Sequence, residues 1–249
     1  MNAPDQMDNR MKKYQSLYAW MIGLFAIVQV SIFYYYWPRF TTQTWEIHFH
    51  YWLVTAWYLM LIIQPYLISR GNIQRHRTLG IIGFVLAGGV IFTGMSLLDV
   101  PLKLAEAHDP TRPGPPISFY YGTLIIEAVS MLAFGFAILK SILHRKEIHE
   151  HSWWLIAGAF YMMPPALGRG MIVFWRRMLP PENFKPLFAL VSTELIYLGL
   201  FLWFASRFGK FRHAATAIGL LLIVFRMLRV PMGASEAIQE FLHNWIQWR

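Results

Sequence analysis

An all-α, polytopic membrane bundle of seven crossing helices, with its N-terminus cytoplasmic, is the fold this sequence predicts. Three observations lead there. Of the 249 residues, 56% are hydrophobic and only 14% are charged, whereas a soluble domain carries roughly a quarter charged residues. Seven apolar stretches recur along the chain, each near the ~20 residues that a membrane crossing requires. Lys and Arg are denser on alternate connecting segments, as the positive-inside rule demands.

The seven stretches are 16–37, 47–69, 78–98, 117–140, 152–175, 187–206 and 213–230. The first begins near Leu17, is about as long as a full span and lacks a small-residue cleavage site, so it reads as a span and not as a cleavable leader. The breaks between stretches are turn-forming or charged: Pro38-Arg39, Arg70-Gly71-Asn72, Asp109-Pro110 through Pro116, His144 through His151, Pro180-Pro181 and Ser206 through Arg212. The seventh stretch is the shortest and ends on Arg226 and Arg229. Residues 1–15 form a cytoplasmic segment, 16–230 one membrane domain, and 231–249 a C-terminal amphipathic helix lying at the interface. In that helix Ser235 caps the start, Ile238, Phe241, Leu242 and Trp245 recur at helical spacing, and Trp248 reaches headgroup level.

With the N-terminus inside, each of four inner segments holds three basic residues: Arg10, Lys12 and Lys13; Arg70, Arg75 and Arg77; Lys140, Arg145 and Lys146; Arg207, Lys210 and Arg212. The outer segments share Arg39, Lys103, Arg112, Arg176, Arg177, Lys185 and Arg249. This distribution accounts for the net charge of +9 without a nucleic-acid partner. The partner it implies is the bilayer, in a cell membrane of bacterial inner-membrane type. Eleven Trp and 17% aromatic residues suit two interfacial belts. The absence of cysteine excludes disulfides, thiolate nucleophiles, Cys-ligated metals and iron–sulfur clusters. Spans two–three and four–five share an outline, each pair joined by a basic, His-containing inner loop, but no residue-level repeat is visible.

Four charges fall inside apolar stretches: Glu127, Arg169, Glu194 and Arg226. An ionisable group at membrane depth is costly, so it faces the bundle interior and finds a partner. At 1.5 Å of rise per residue, Glu127 lies about 13–15 Å below the outer rim, Glu194 roughly 10 Å, Arg169 about 9 Å and Arg226 about 7 Å. All four therefore share the outer leaflet. His48 and His50 open span two on the same side, and Thr93 and Ser96 end span three there. Two readings stand. Two acids and two bases can neutralise one another as a structural clasp. Alternatively they line an outward pocket for a small ligand or ion, with Arg169 and Arg226 as anion clamps, Glu127 and Glu194 as proton- or cation-linked carboxylates, and His50 as a pH-sensitive or ligating group. Pro164-Pro165 kinks the helix one turn before Arg169, and Gly168 and Gly170 leave room beside it. His48 and His50, two residues apart, point away from each other, so at most one faces the core.

The inner ends carry His76, His144, His149, His151 and His213. They are too few for a di-iron desaturase, which needs about eight ligands, and HExxH is absent. A b-type haem needs two imidazoles at similar depth on facing helices. His76 and His151 meet that requirement only if their helices begin earlier than the apolar stretches do; otherwise they are interfacial.

His50 with Gln64, followed by Arg75-His76-Arg77-x-x-Gly80, resembles the first half of a family of predicted bacterial multi-pass membrane proteins of unknown function. The second half of that pattern, His-Arg-x-x-Met and then a deep Arg, is matched by His151-Ser152-Trp153-Trp154 and Arg169, with Ser152 in place of the Arg and no Met. The resemblance covers about residues 46–172 and implies that His50, His76, His151 and Arg169 belong to one recurring design. It implies no reaction. The cytochrome b561-like haem proteins are similar in outline only. The function expected is binding or transport of a small ligand or ion through the outer pocket. The alternatives are a haem-binding membrane oxidoreductase and a structural subunit of a membrane complex.

Overall fold

The computed structural model describes residues 12–109 and 114–247; Arg10, Arg112, Trp248 and Arg249 lie outside them. The described residues are helical with no strand among them, and five helical segments are long and apolar enough to cross a membrane. These are α1 (Leu17–Tyr36) with the 3-10 turn Trp37–Thr42 that extends it, α2 (Trp45–Ser69), α3 (Ile73–Ser96) with the short α4 (Val100–Glu106), α5 (Ile117–Leu143), and, later in the chain, α8 (Pro186–Arg207).

The stretch read as a fifth span is two helices of 15 residues each, α6 (Ile148–Met162) and α7 (Pro164–Met178). Pro164 and Pro165 lack amide protons and crowd the preceding turn, so the hydrogen-bond ladder breaks at Met163. The seventh stretch is also interrupted. Its helix α9 (Ala214–Met227) has 14 residues, about 21 Å of rise. After Leu228 the chain turns into α10 (Arg229–Gly233) and then α11 (Glu236–Gln247). Two other starts are earlier than the hydropathy suggests. Helix α3 begins at Ile73, after a turn in which Gly71 takes φ +69° and the Asn72 side chain accepts the Arg75 amide. Helix α6 begins at Ile148. His76 and His151 are therefore inside helices.

Helix α6 is the axis of the bundle. Trp153, Trp154 and Ile156 through Met162 are all buried, as expected of a helix that is apolar on every side. It packs on α5, α8 and α9. Its polar groups find partners inside the protein, because hydrocarbon offers none. The Tyr58 hydroxyl of α2 donates to the Ala159 carbonyl at 2.6 Å, the Tyr161 hydroxyl to the Ala215 carbonyl at 2.6 Å, and Trp153 Nε1 to Thr216 Oγ1 at 3.1 Å. Large apolar residues point outward instead: Val30, Phe92 and Leu132 are each about 70% exposed or more. Helix α7 leaves α6 to pack between α1 and α8.

The amphipathic C-terminal segment forms α11 as the spacing predicts, but its apolar stripe divides. Leu242 is buried with Leu102, Ala105, Tyr121 and Leu124, and Ile238 and Trp245 pack beside them. Phe241 faces outward. The helix is thus docked on α4 and α5, and Tyr121 shares a 2.8 Å hydrogen bond with His243 Nε2.

Helix α10 crosses α5 with almost no side chain between them. A Cβ on Gly122 would run into the Arg229 carbonyl, and one on Gly233 into the Ser118 carbonyl. Backbone cannot yield as a flexible side chain does, so Gly122→Ala and Gly233→Ala should each destabilise by about 1–3 kcal/mol or more. Gly199, with nothing within 4 Å of its Cβ position, is the control. Thermal unfolding in detergent should show a lowered midpoint for the first two and an unchanged or raised one for Gly199→Ala.

Candidate functional site

The in-span polar cluster is built from six helices. Helix α9 supplies Arg226 at its last turn, and the break at Leu228 turns Arg229 back onto α5. Helix α8 supplies Glu194 and, one turn on, Tyr197. Glu127 comes from the middle of α5, Arg169 from α7 and His50 from the first turns of α2.

Glu194 and Arg226 form the central ion pair. Arg226 Nε donates to Glu194 Oε1 at 2.8 Å and Oε2 at 3.0 Å, and the two residues are only 5% and 1% exposed. The guanidinium lies 4.5 Å over the ring of Tyr197, a cation–π contact that strengthens where water is excluded. One nitrogen thus takes both carboxylate oxygens. Arg226 Nη1 and Nη2, the Tyr197 hydroxyl and Arg229 Nε are all buried with no hydrogen-bond partner among the described residues.

The remaining charges join this pair through space. Arg229 is acted on by Glu127, Glu194, Arg226 and Arg169, and its guanidinium covers the Phe119 ring at 4.8 Å. Glu127 is acted on by Arg169 and Arg229, and among the described residues it makes no ion pair within 4.0 Å. Arg169 folds back so that Nη1 donates to the Pro165 carbonyl at 2.9 Å, with Tyr35 5.1 Å away beneath it. His50 lies within electrostatic reach of Arg169. Its Nδ1 is 3.0 Å from Thr93 Oγ1, whose own proton goes to the Gly89 carbonyl at 2.8 Å. The hydroxyl therefore accepts from His50 Nδ1–H, and Nε2 carries the lone pair.

Glu194 and Arg226 are in direct contact, and electrostatic reach links His50 to Arg169, Glu127 to Arg169 and Arg229, and Arg229 to Glu194 and Arg226. The balance of charge is different from the one the four in-span residues give. Arg229 makes three guanidiniums to two carboxylates, one positive charge in excess at full ionisation. Glu194 and Tyr197 are three apart on one helix, and that spacing puts them on one face; Arg229 joins through the break at Leu228. The space beside Arg169 also differs. A Cβ on Gly170 would strike Ser31 of α1, so that glycine serves a close helix crossing and not an open pocket. His48, the other member of the His-x-His pair, bonds the Tyr36 hydroxyl through Nδ1 at 2.6 Å.

The histidines at the opposite helix ends do not form one group. His144 pairs with Glu147, His149 with Tyr14 and His213 with Glu150. His76 and His151 face each other, ring centroids 6.4 Å apart and planes at 86°. His151 Nδ1 lies 2.9 Å from the Ser141 carbonyl, to which it can only donate; the Gln64 amide sits against His76 Nδ1. Both rings are thus held at Nδ1, with no hydrogen bond at Nε2 among the described residues. No group of three or more His, Asp or Glu among the described residues is arranged to hold a metal ion.

Fold and site together define an all-helical chain of the multi-pass membrane type, wrapped around a buried, partly unsatisfied polar cluster. No family model, no curated protein and no solved structure matches it.

Removing Glu194 leaves a buried guanidinium uncompensated. Glu194→Gln should therefore cost about 3–5 kcal/mol, whereas Glu194→Leu combined with Arg226→Met should recover most of that loss. Thermal denaturation of the three detergent-purified proteins checks this, by whether the double variant unfolds above the single one.

Proposed function

We propose that this chain is a seven-crossing protein of a bacterial cell membrane, N-terminus inside, that binds a small carboxylate anion in its outer leaflet and carries it across or presents it. In this reading α6 and α7 make one broken crossing and α9 with α10 the last. The observation that carries the ligand is the open fork of Arg226. Glu194 occupies Nε and leaves Nη1 and Nη2 without partners, in the geometry that meets a carboxylate with two parallel hydrogen bonds. Buried donors left unpaired cost about 1–3 kcal/mol each, more when charged, unless water or an ion meets them. Arg229 Nε and the Tyr197 hydroxyl offer two further donors, and the excess positive charge favours an anion. Glu127, which has no direct partner, is the group placed to exchange a proton as the anion comes and goes.

The test uses detergent-purified protein and a panel of small carboxylates at constant ionic strength, with chloride as the reference. At least one carboxylate should raise the unfolding temperature in a saturable way. Arg229→Gln removes no ion pair from the fold. It should unfold normally and bind about tenfold more weakly or worse, the worth of one charge-assisted hydrogen bond. If no carboxylate stabilises the protein, or Arg229→Gln responds as the parent does, the ligand reading fails. The clasp and structural-subunit readings then remain.

A second reading, a membrane oxidoreductase with a b-type haem, is favoured by the approach of His76 and His151. His151 donates Nδ1–H to the Ser141 carbonyl and keeps Nε2 as a lone-pair donor, the usual state of an axial imidazole; the Gln64 amide donates to His76 Nδ1, so His76 serves as the second ligand only after its proton moves from Nε2. Purified protein should then show a Soret band that is lost in His76→Ala and in His151→Ala. A colourless preparation from haem-replete cells sinks this reading.

A further inference from the structure

At the opposite end of the bundle, three segments meet: the residues before α1, the start of α6 and the loop from α8 to α9. They enclose a recess of about 170 Å³, far above the ~10–15 Å³ that admits one water. Its floor is aromatic, with Trp153 and Phe208 each 1% exposed. Gly209 permits that floor, since a Cβ there would drive into the Trp153 indole. Its walls carry Lys13 and Lys210, with His149, Glu150 and His213 between them.

The polar groups other than the lysines are already engaged. His213 Nδ1 accepts the Ala215 amide at 3.0 Å as the cap of α9, so Nε2 holds the proton and donates it to Glu150 Oε2 at 2.7 Å. His149 Nδ1 is 2.8 Å from the Tyr14 hydroxyl. Burial, with Glu150 nearby, pushes that phenol up to about 12, so it stays neutral. The ammonium groups have no such partner: among the described residues neither Lys13 nor Lys210 forms an ion pair. Lys210 feels Glu150 through space. Burial and then the like charge of Lys210 hold the Lys13 ammonium below its ordinary pKa. Two lysines are thus kept close at the mouth of a recess, repelling each other.

We propose that this recess is a binding site for a phosphate-bearing anion, clamped between Lys13 and Lys210. A lysine ammonium serves phosphate as a compact point charge with three donors. Phosphate between the two would relieve their repulsion, and the Glu150–His213 bond keeps the recess carboxylate turned to its own partner. The same chemistry is offered by an anionic lipid headgroup at the bilayer surface and by free phosphate. This site is separate from the outer cluster and independent of its reading.

The experiment is thermal unfolding of the full chain in detergent, titrated with inorganic phosphate in one arm and short-chain phosphatidylglycerol in the other, with short-chain phosphatidylcholine as the lipid control. The parent protein should be stabilised saturably by at least one probe. Stabilisation by phosphatidylglycerol alone assigns a lipid headgroup, by phosphate alone a soluble phosphate, and by both the shared chemistry. Lys13→Gln with Lys210→Gln should weaken the response tenfold or more, and Lys13→Arg with Lys210→Arg should retain it. Arg145→Gln with Lys146→Gln removes the same charge from the same end of the molecule and should bind like the parent. The proposal is overturned if neither probe stabilises the parent, or if both pairs of Gln substitutions lose the response equally.

Discussion

Apolar side chains fill the interior of this bundle, and a polar group buried among them is costly unless it is met by a partner. The Glu194–Arg226 pair embodies that constraint. It neutralises two charges that could not otherwise be held at that depth, yet it uses only one of the three guanidinium nitrogens. The geometry of one ion pair thus joins α8 to α9 and leaves Arg226 Nη1 and Nη2 without a hydrogen-bond partner among the described residues. Tyr197 lies beneath the guanidinium, and Arg229 is within electrostatic reach of it.

The helices that carry these charges are gathered by one that carries none there. Helix α6 contributes no charge there, but its all-round apolar surface gathers α5, α8 and α9 around one axis. The proline pair after it swings α7 away toward α1, which carries Arg169 to the side of the cluster facing His50. Gly122 and Gly233 let α10 lie directly on α5, and this contact delivers Arg229 inward. Small residues and a chain break therefore decide where large charges go, a common division of labour where backbones must approach closely.

The two ends of the molecule handle charge in different ways. At the end that carries Lys13 and Lys210, His149, His213 and Glu150 are paired locally, in bonds that cap a helix and fix a tautomer. At the other end three guanidiniums face two carboxylates. The guanidiniums there sit inside the helix bundle, whereas the lysines sit at its rim.

Much of this protein was legible in the linear sequence. Hydropathy with ~20-residue periodicity marks the helices α1, α2, α3, α5 and α8, because the thickness of a bilayer sets a length that composition alone reveals. Rise per residue places Glu127, Arg169, Glu194 and Arg226 within the same half of the spans, because a helix converts sequence distance into height. Depth does not fix azimuth or partner, and these only the tertiary structure decided. It paired Glu194 with Arg226 and left Glu127 unpaired, it added Arg229 by bending the chain at Leu228, and it used Gly170 for packing where room for a ligand was expected. The early starts of α3 and α6, which bring His76 and His151 face to face, were hidden because polar first turns depress hydropathy while their backbones remain helical. Local sequence governs whether a segment is helical and apolar; which atoms meet is set by how separate helices cross, and that depends on residues far apart in the chain.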